Sequence, residues 1–256
     1  MNPQELADKY IITGDYHTHT VYSRTGPHLH GKGRIIENAA AAVSKGLREL
    51  AITDHGPSDV YGLSLKDIPK MRRDIAEAAE KYPELRIYLG VEADITDSAN
   101  GLDVRPEEFE LFDFVNAGYH YVPNSHMIAN WLSFHIPFPK AWKERLRRQN
   151  TDRIVKALKS NRIRILTHPG DKAFIDEHAV AKACEETGTL VEINAKHRHP
   201  DIRDLKIYAD YDVSFIISSD AHSPDKVGNY VLSLALALSA GISPDRIVNI
   251  EELRSI

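Results

Sequence analysis

One short run in this chain, Asp15-Tyr16-His17-Thr18-His19-Thr20, places two imidazoles two residues apart directly after the apolar Tyr10-Ile11-Ile12. Side chains two apart on a strand face the same way, so His17 and His19 can meet one cation. Taken alone, the run fits an exposed histidine pair equally well. Five further segments end apolar stretches with the same side-chain types. They are Ile52-Thr53-Asp54-His55-Gly56, Gly90-Val91-Glu92, Asn116-Ala117-Gly118-Tyr119-His120, Leu166-Thr167-His168-Pro169-Gly170 and Ser218-Ser219-Asp220-Ala221-His222. Any one of them reads more simply as a capped turn or a core histidine. The recurrence calls for a common cause, and metal ligation supplies it. The chain holds 13 histidines and a single cysteine, Cys184, which excludes an internal disulfide and any zinc site of paired thiolates. A metal here must be held by imidazole and carboxylate, donors that suit zinc, manganese and iron alike. So many ligands can hold more than one ion, and carboxylate-bridged cations polarise a shared oxygen and generate hydroxide near neutral pH. The surplus positive charge asks for an anionic substrate, phosphate above all.

The elements that position these residues follow from short apolar runs at Tyr10 to Asp15, Glu49 to Thr53, Arg86 to Val91, Phe112 to Ala117, Ile163 to Thr167, Thr189 to Ile193 and Val213 to Ser218. Most are separated by segments of helical periodicity. Ala39 to Lys45 stops at Gly46, Ile68 to Tyr82 precedes Pro83, Thr151 caps Arg153 to Lys159, and Asp176 opens a helix that Gly188 closes. The alternation predicts parallel strands with right-handed crossovers, and polar groups at almost every strand end favour a seven-stranded (β/α) barrel over an open sheet. Trp131 to Gln149 is extra length, read as a lid or side helix. No repeat or linker divides the sequence, so residues 1–256 are expected to form one domain. With 32 Lys plus Arg against 37 Asp plus Glu, the net charge of -5 disfavours a surface that wraps duplex nucleic acid. No signal peptide or bilayer-length apolar run is recognisable, which predicts no membrane partner and a cytoplasmic location.

The ordered motifs His17-Thr18-His19, Thr53-Asp54-His55-Gly56, Gly90-Val91-Glu92, Gly118-Tyr119-His120, His168-Pro169 and Ser219-Asp220-Ala221-His222 resemble the PHP family, named for polymerase and histidinol phosphatase. The resemblance runs from about Asp15 to Asn249. It implies a distorted seven-stranded TIM-like barrel with three divalent metal ions. By this resemblance His17, His19, Glu92 and Asp220 hold the first ion, and Glu92 bridges to a second completed by His120 and His168. The third takes His55, His222 and a histidine of the loop after strand one, where His30 matches better than His28. Asp54 is read as accepting a hydrogen bond from a ligating imidazole or, alternatively, as closing a turn, and Glu192 as supporting His168 or the substrate. Arg24, Lys32 and Arg34 in the first loop, with Lys196, His197, Arg198 and His199 after strand six, are candidate phosphate donors.

The expected function is a metal-dependent phosphomonoesterase on a small phosphorylated metabolite, histidinol phosphate among the candidates. A metal-bridging hydroxide would be the nucleophile, with Glu92, His120, Asp220 and His222 as catalytic residues. The alternative is a nucleic-acid phosphodiesterase or exonuclease using the same metals, for which Trp142 among the cations of Lys140 to Arg148 could stack a base. A non-catalytic scaffold is disfavoured because every expected ligand is present. An amidohydrolase-type barrel is disfavoured because it would need eight strands and a bridging lysine.

Overall fold

The computed structural model describes residues 5, 9–120, 125–137 and 139–253. In chain order its elements are β1 (Tyr10–Ile12), β2 (Gly14–Asp15), β3 (Arg24–Thr25), β4 (His28–Leu29), α1 (Ile35–Ser44), β5 (Glu49–Ile52), α2 (Ile68–Lys81), β6 (Arg86–Asp94) and β7 (Phe114–Gly118). There follow α3 (Ser125–His135), α4 (Lys140–Ser160), β8 (Ile163–Leu166), α5 (Glu177–Thr187), β9 (Leu190–Asn194), α6 (Ile202–Ala209), β10 (Phe215–Ser218), α7 (Val231–Ser239) and β11 (Ile250–Glu252). Seven strands form one parallel sheet in the order β10-β9-β8-β7-β6-β5-β2. Just beyond the two edges, Thr18 and Ala221 make a parallel bridge, and His19 N–H donates to the Ala221 carbonyl at 2.8 Å. The sheet therefore nearly closes into the expected barrel, with helices alternating outside it. Among the described residues, no helix is long and apolar enough to cross a membrane.

Two layers of apolar side chains hold this arrangement. The larger lies between strands and helices, where Leu50, Ile52, Leu89, Val91, Ile193 and Phe215 meet Ala39, Met71, Val180 and Leu234. The smaller fills the barrel with Tyr16, Ala51, Ile165 and Ile216, backed by Tyr88, Phe114 and Leu190. Arg164 lies over the rings of Tyr16 and Phe114 at 5.0 and 4.7 Å, while Glu49 accepts the hydroxyls of Tyr16 and Tyr88. This inner plug sits nearer the strand starts, so the opposite ends of the strands are left for polar side chains.

Two expected boundaries are corrected. The first run does not continue as one barrel strand: Thr13 N–H donates to Asn249 at 2.8 Å and its carbonyl accepts from Arg48 at 2.9 Å, which bends the chain. Tyr10–Ile12 consequently pairs antiparallel with Ile250–Glu252 outside the barrel, and only Gly14–Asp15 joins it. Nor does Thr151 begin a helix. It lies inside α4, where its hydroxyl donates to the Arg147 carbonyl at 2.7 Å and accepts from Asp176 N–H at 2.8 Å. Trp131 to Gln149 contributes to two helices, and α4 packs along α5. Asp176 does cap α5, and Gly188 ends it at φ +69°, a left-handed conformation that disfavours a Cβ. Cys184, on the buried face of α5, is a core residue.

Candidate metal centre

Strand β6 carries Glu92 to the middle of the strand ends, wholly buried, with imidazoles on both oxygens. Oε1 lies 3.0 Å from His168 Nε2 and 3.2 Å from His120 Nε2. Oε2 lies 3.1 Å from both His17 Nε2 and His55 Nδ1. A second carboxylate, Asp220, follows β10, with His19 Nε2 and His222 Nδ1 each 3.2 Å from its Oδ1. His17 Nε2 and His19 Nε2 approach within 3.1 Å beyond the end of β2, flanking Thr18, whose bridge to Ala221 keeps the backbone extended there. His30 enters from the first loop, its ring centroid 5.3 Å from His55 and 4.4 Å from His222, and stacks on Tyr61 at 4.5 Å. His28 stays on exposed β4.

Backbone geometry at the strand ends is unusual where these ligands sit. His168 has φ +29° and Asp220 φ +50°, the two non-glycine residues with positive φ among the described residues. Such conformations cost about 1–3 kcal/mol each and persist only where surrounding contacts over-determine them. The contacts are present: His168 N–H donates to Glu192 Oε2 at 2.8 Å, and buried Asp15 accepts from Ser219 N–H at 3.1 Å and Gly228 N–H at 2.8 Å. At Gly118 a Cβ would lie 2.2 Å from Thr167 Oγ1 and 3.1 Å from His168 Cε1, so only glycine lets β7 run this close to the ligands.

Carboxylates behind the imidazoles fix their orientation. Glu192 Oε1 lies 2.7 Å from His17 Nδ1, and Asp94 Oδ1 lies 2.6 Å from His120 Nδ1. Each bond directs the Nε2 of its ring toward Glu92, the arrangement by which a carboxylate sets the tautomer of a ligating histidine. Glu192 thus serves the ring of His17 and the backbone of His168. Asp54 does not meet an imidazole as expected. It accepts from Thr20 N–H and Thr20 Oγ1, both at 2.7 Å, and from Ser23 Oγ at 2.6 Å, because the chain turns back over it.

Electrostatically the cluster is polarised. Burial disfavours charge on His17 and His120, yet Glu92 with Glu192, Asp220 and Asp94 holds both imidazoles well above the usual range. Burial would raise Glu92 and Asp220, but the surrounding histidines hold both well below ordinary carboxylates. Burial and neighbouring imidazoles push His30 and His168 down to about 4, leaving them neutral, the state a metal ligand requires. The donor set fits divalent cations on a further count. Buried Glu92 Oε2, His55 Nδ1 and His120 Nε2 face one another without a hydrogen bond, a costly arrangement unless something else engages them. Ligand atoms of His17, His19 and Glu92, of His55, Glu92 and His120, and of His19, His55 and His222 each fall within 4.8 Å of one another.

A cavity of about 440 Å³ opens above this cluster, lined by His30, His55, Asp59, Val60, Tyr61, His120, Lys172, Lys196, His197 and Asp220. Of the candidate phosphate donors only Lys196 and His197 line it. Arg24 pairs outside with Asp67 and Arg34 with Glu37, while Lys32 and Arg198 are exposed away from the cavity. Sequence reasoning missed Asp94, Lys172 and the Asp59-Val60-Tyr61 wall. Asp94 had a signal, since it follows Glu92 by two residues on one strand.

The PHP domain family matches residues 15–198 of the chain. A probable phosphatase of Thermoanaerobacter sp. (strain X514) is 29% identical over 92% of this chain and 89% of its own length. A probable phosphatase of Acetivibrio thermocellus is 28% identical over 87% and 83%. Among solved structures, histidinol phosphate phosphatase of Lactococcus lactis subsp. lactis Il1403, complexed with zinc, L-histidinol and phosphate, superposes with a TM-score of 0.60. It shares 15% identity, over 91% of this chain and 95% of that one. A chain of an archaeal ribonuclease P with mature tRNA superposes with a TM-score of 0.54 at 14% identity, over 90% and 87%. At such identities these likenesses speak for the barrel. With a match spanning most of its length and every ordered motif in place, the chain belongs to the PHP family.

Proposed function

We propose that this protein, a hydrolase of phosphoester bonds by its family, is a metal-dependent phosphomonoesterase acting on a small phosphorylated metabolite. The observation that carries the reading is the placement of Glu92, with His17, His55, His120 and His168 at 3.0 to 3.2 Å from its two oxygens, beneath a cavity with cations on its wall. His17, His19, Glu92 and Asp220 would hold one ion, Glu92, His120 and His168 a second, and His30, His55 and His222 a third, with zinc, manganese or iron suited to these donors. Divalent cations there supply Lewis acidity toward phosphoryl oxygens and acidify water. The chain's own part is to hold Glu92 and Asp220 ionised and His19, His30 and His168 neutral, to shield them from bulk water, and to present Lys196 to a phosphate oxygen. A leaving group of metabolite size fits a cavity of about 440 Å³. The phosphodiesterase reading draws on Trp142, which is 56% exposed, but Arg147 of that helix is spent on Glu144 and Asp176. Assays of purified protein on a panel of phosphorylated metabolites and a labelled single-stranded oligonucleotide test both readings. We expect hydrolysis of monoesters, its loss with chelator and recovery on adding metal, and a loss of at least about a hundredfold in Glu92→Gln. Chelator-resistant turnover, or full activity in Glu92→Gln, would contradict the assignment.

A further inference from the structure

We propose that His197 is an additional metal ligand of this centre, held in register by Asp171. The proposal rests on the metal-centre reading above and goes beyond the nine ligands that the family pattern supplies. His197 comes from the loop after β9 and lines the cavity with its ring centroid 4.7 Å from that of His168. Its Nδ1 lies 3.0 Å from Asp171 Oδ2, and its Nε2 lies 3.0 Å from Asp220 Oδ2. The same geometry recurs at two expected ligands. His17 meets Glu192 through Nδ1 and Glu92 through Nε2, at 2.7 and 3.1 Å. His120 meets Asp94 and Glu92 in the same order, at 2.6 and 3.2 Å. In each case an outer carboxylate takes the Nδ1 hydrogen and turns the Nε2 lone pair inward, the preparation typical of a ligating imidazole.

A histidine placed to bind phosphate would leave an N–H open to the cavity. In His197 both nitrogens are engaged by carboxylates, and the side chain is 17% exposed. Ligand atoms of His168, His197 and Asp220 lie within 4.8 Å of one another, so a borderline divalent cation such as zinc, manganese or iron could be shared among them. The same Asp171 oxygen also takes the ammonium of Lys172, a second contact that anchors the carboxylate. Asp171 is then a positioning residue, acting on the metal through the ring it holds.

The test reads metal binding on the full chain, independently of phosphatase turnover. Wild type, His197→Gln and Asp171→Asn are loaded with zinc or cobalt(II), titrated with a competing chelator, and compared by elemental analysis and by the visible spectrum of the cobalt form. Glutamine can still donate a hydrogen bond to Asp220, so a role limited to steadying that carboxylate would survive the first substitution. We expect His197→Gln to weaken the most loosely held ion about ten- to a hundredfold and to change the cobalt spectrum. Asp171→Asn should shift both readouts in the same direction by less. An unchanged chelator titration and cobalt spectrum in His197→Gln overturns the inference while leaving the phosphomonoesterase reading intact. A wild-type chain that binds no divalent metal overturns both.

Discussion

Glu92 meets four imidazoles with two oxygens, and its environment leaves no neutral alternative, because burial without counter-charge would expel its negative charge. The side chains behind the ligands carry nearly as much of the geometry. Asp94 reaches His120 Nδ1 at 2.6 Å and, among the described residues, pairs with no other candidate ligand, so Asp94→Ala isolates the orienting effect. Its expected outcome is a ten- to hundredfold loss of metal affinity or activity, with the unfolding transition of the folded barrel retained, read by chelator titration beside circular dichroism. Most of the candidate ligands were legible in the sequence because they follow apolar runs that must be strands, and strand ends in a barrel converge; His30, in a loop, came only from the family resemblance. Asp171 and His197 were not legible as a pair. They lie on different loops, and only the folded chain brings the carboxylate of one to the ring of the other.

At the scale of elements, α4 and α5 illustrate how a local cap and a distant ion pair reinforce each other. Asp176 accepts from Ala179 N–H at the start of α5 and pairs with Arg147 of α4 at 2.8 Å. Burial alone would raise its carboxyl, but Arg147 and the capped N–H hold it below the ordinary value. A depressed folded-state value stabilises the fold above the unfolded-state value and stops doing so as pH falls through the folded one. Asp176→Ala is therefore expected to cost about 1 kcal/mol near neutral pH, with the gap to wild type narrowing as pH falls below the ordinary carboxylate value of about 4, measured by denaturant unfolding. The Asp176 cap and Gly188 stop could be read from sequence because both act within one turn. The bend at Thr13 could not, since it depends on Asn249 from the far end of the described chain. Thr151 misled for a related reason: a threonine that caps one helix is indistinguishable in sequence from one that back-bonds inside another.

At the scale of the molecule, one thiol reports on the whole core. Cys184 is 1% exposed, and burial pushes its thiol up to about 12. A thiol so protected is unreactive until the surrounding helix and strands separate. Because it is the only cysteine, labelling with a thiol reagent at pH 8 should be negligible in native buffer and should rise with denaturant at the midpoint seen by circular dichroism. Labelling well before that midpoint would reveal that α5 opens separately. The ring itself imposes an order of events on the chain. Asp15, beside His17, is fastened to Ser219, beside Asp220, across a separation of 204 positions. A ribosome releases His17 and His19 long before it makes the aspartate that must stand next to them, so the growing polypeptide carries an incomplete centre until Asp220 and His222 emerge. A metal centre of the proposed kind would thus be completed only when the last parallel strand docks, and its full occupancy would be a sign that the ring has shut.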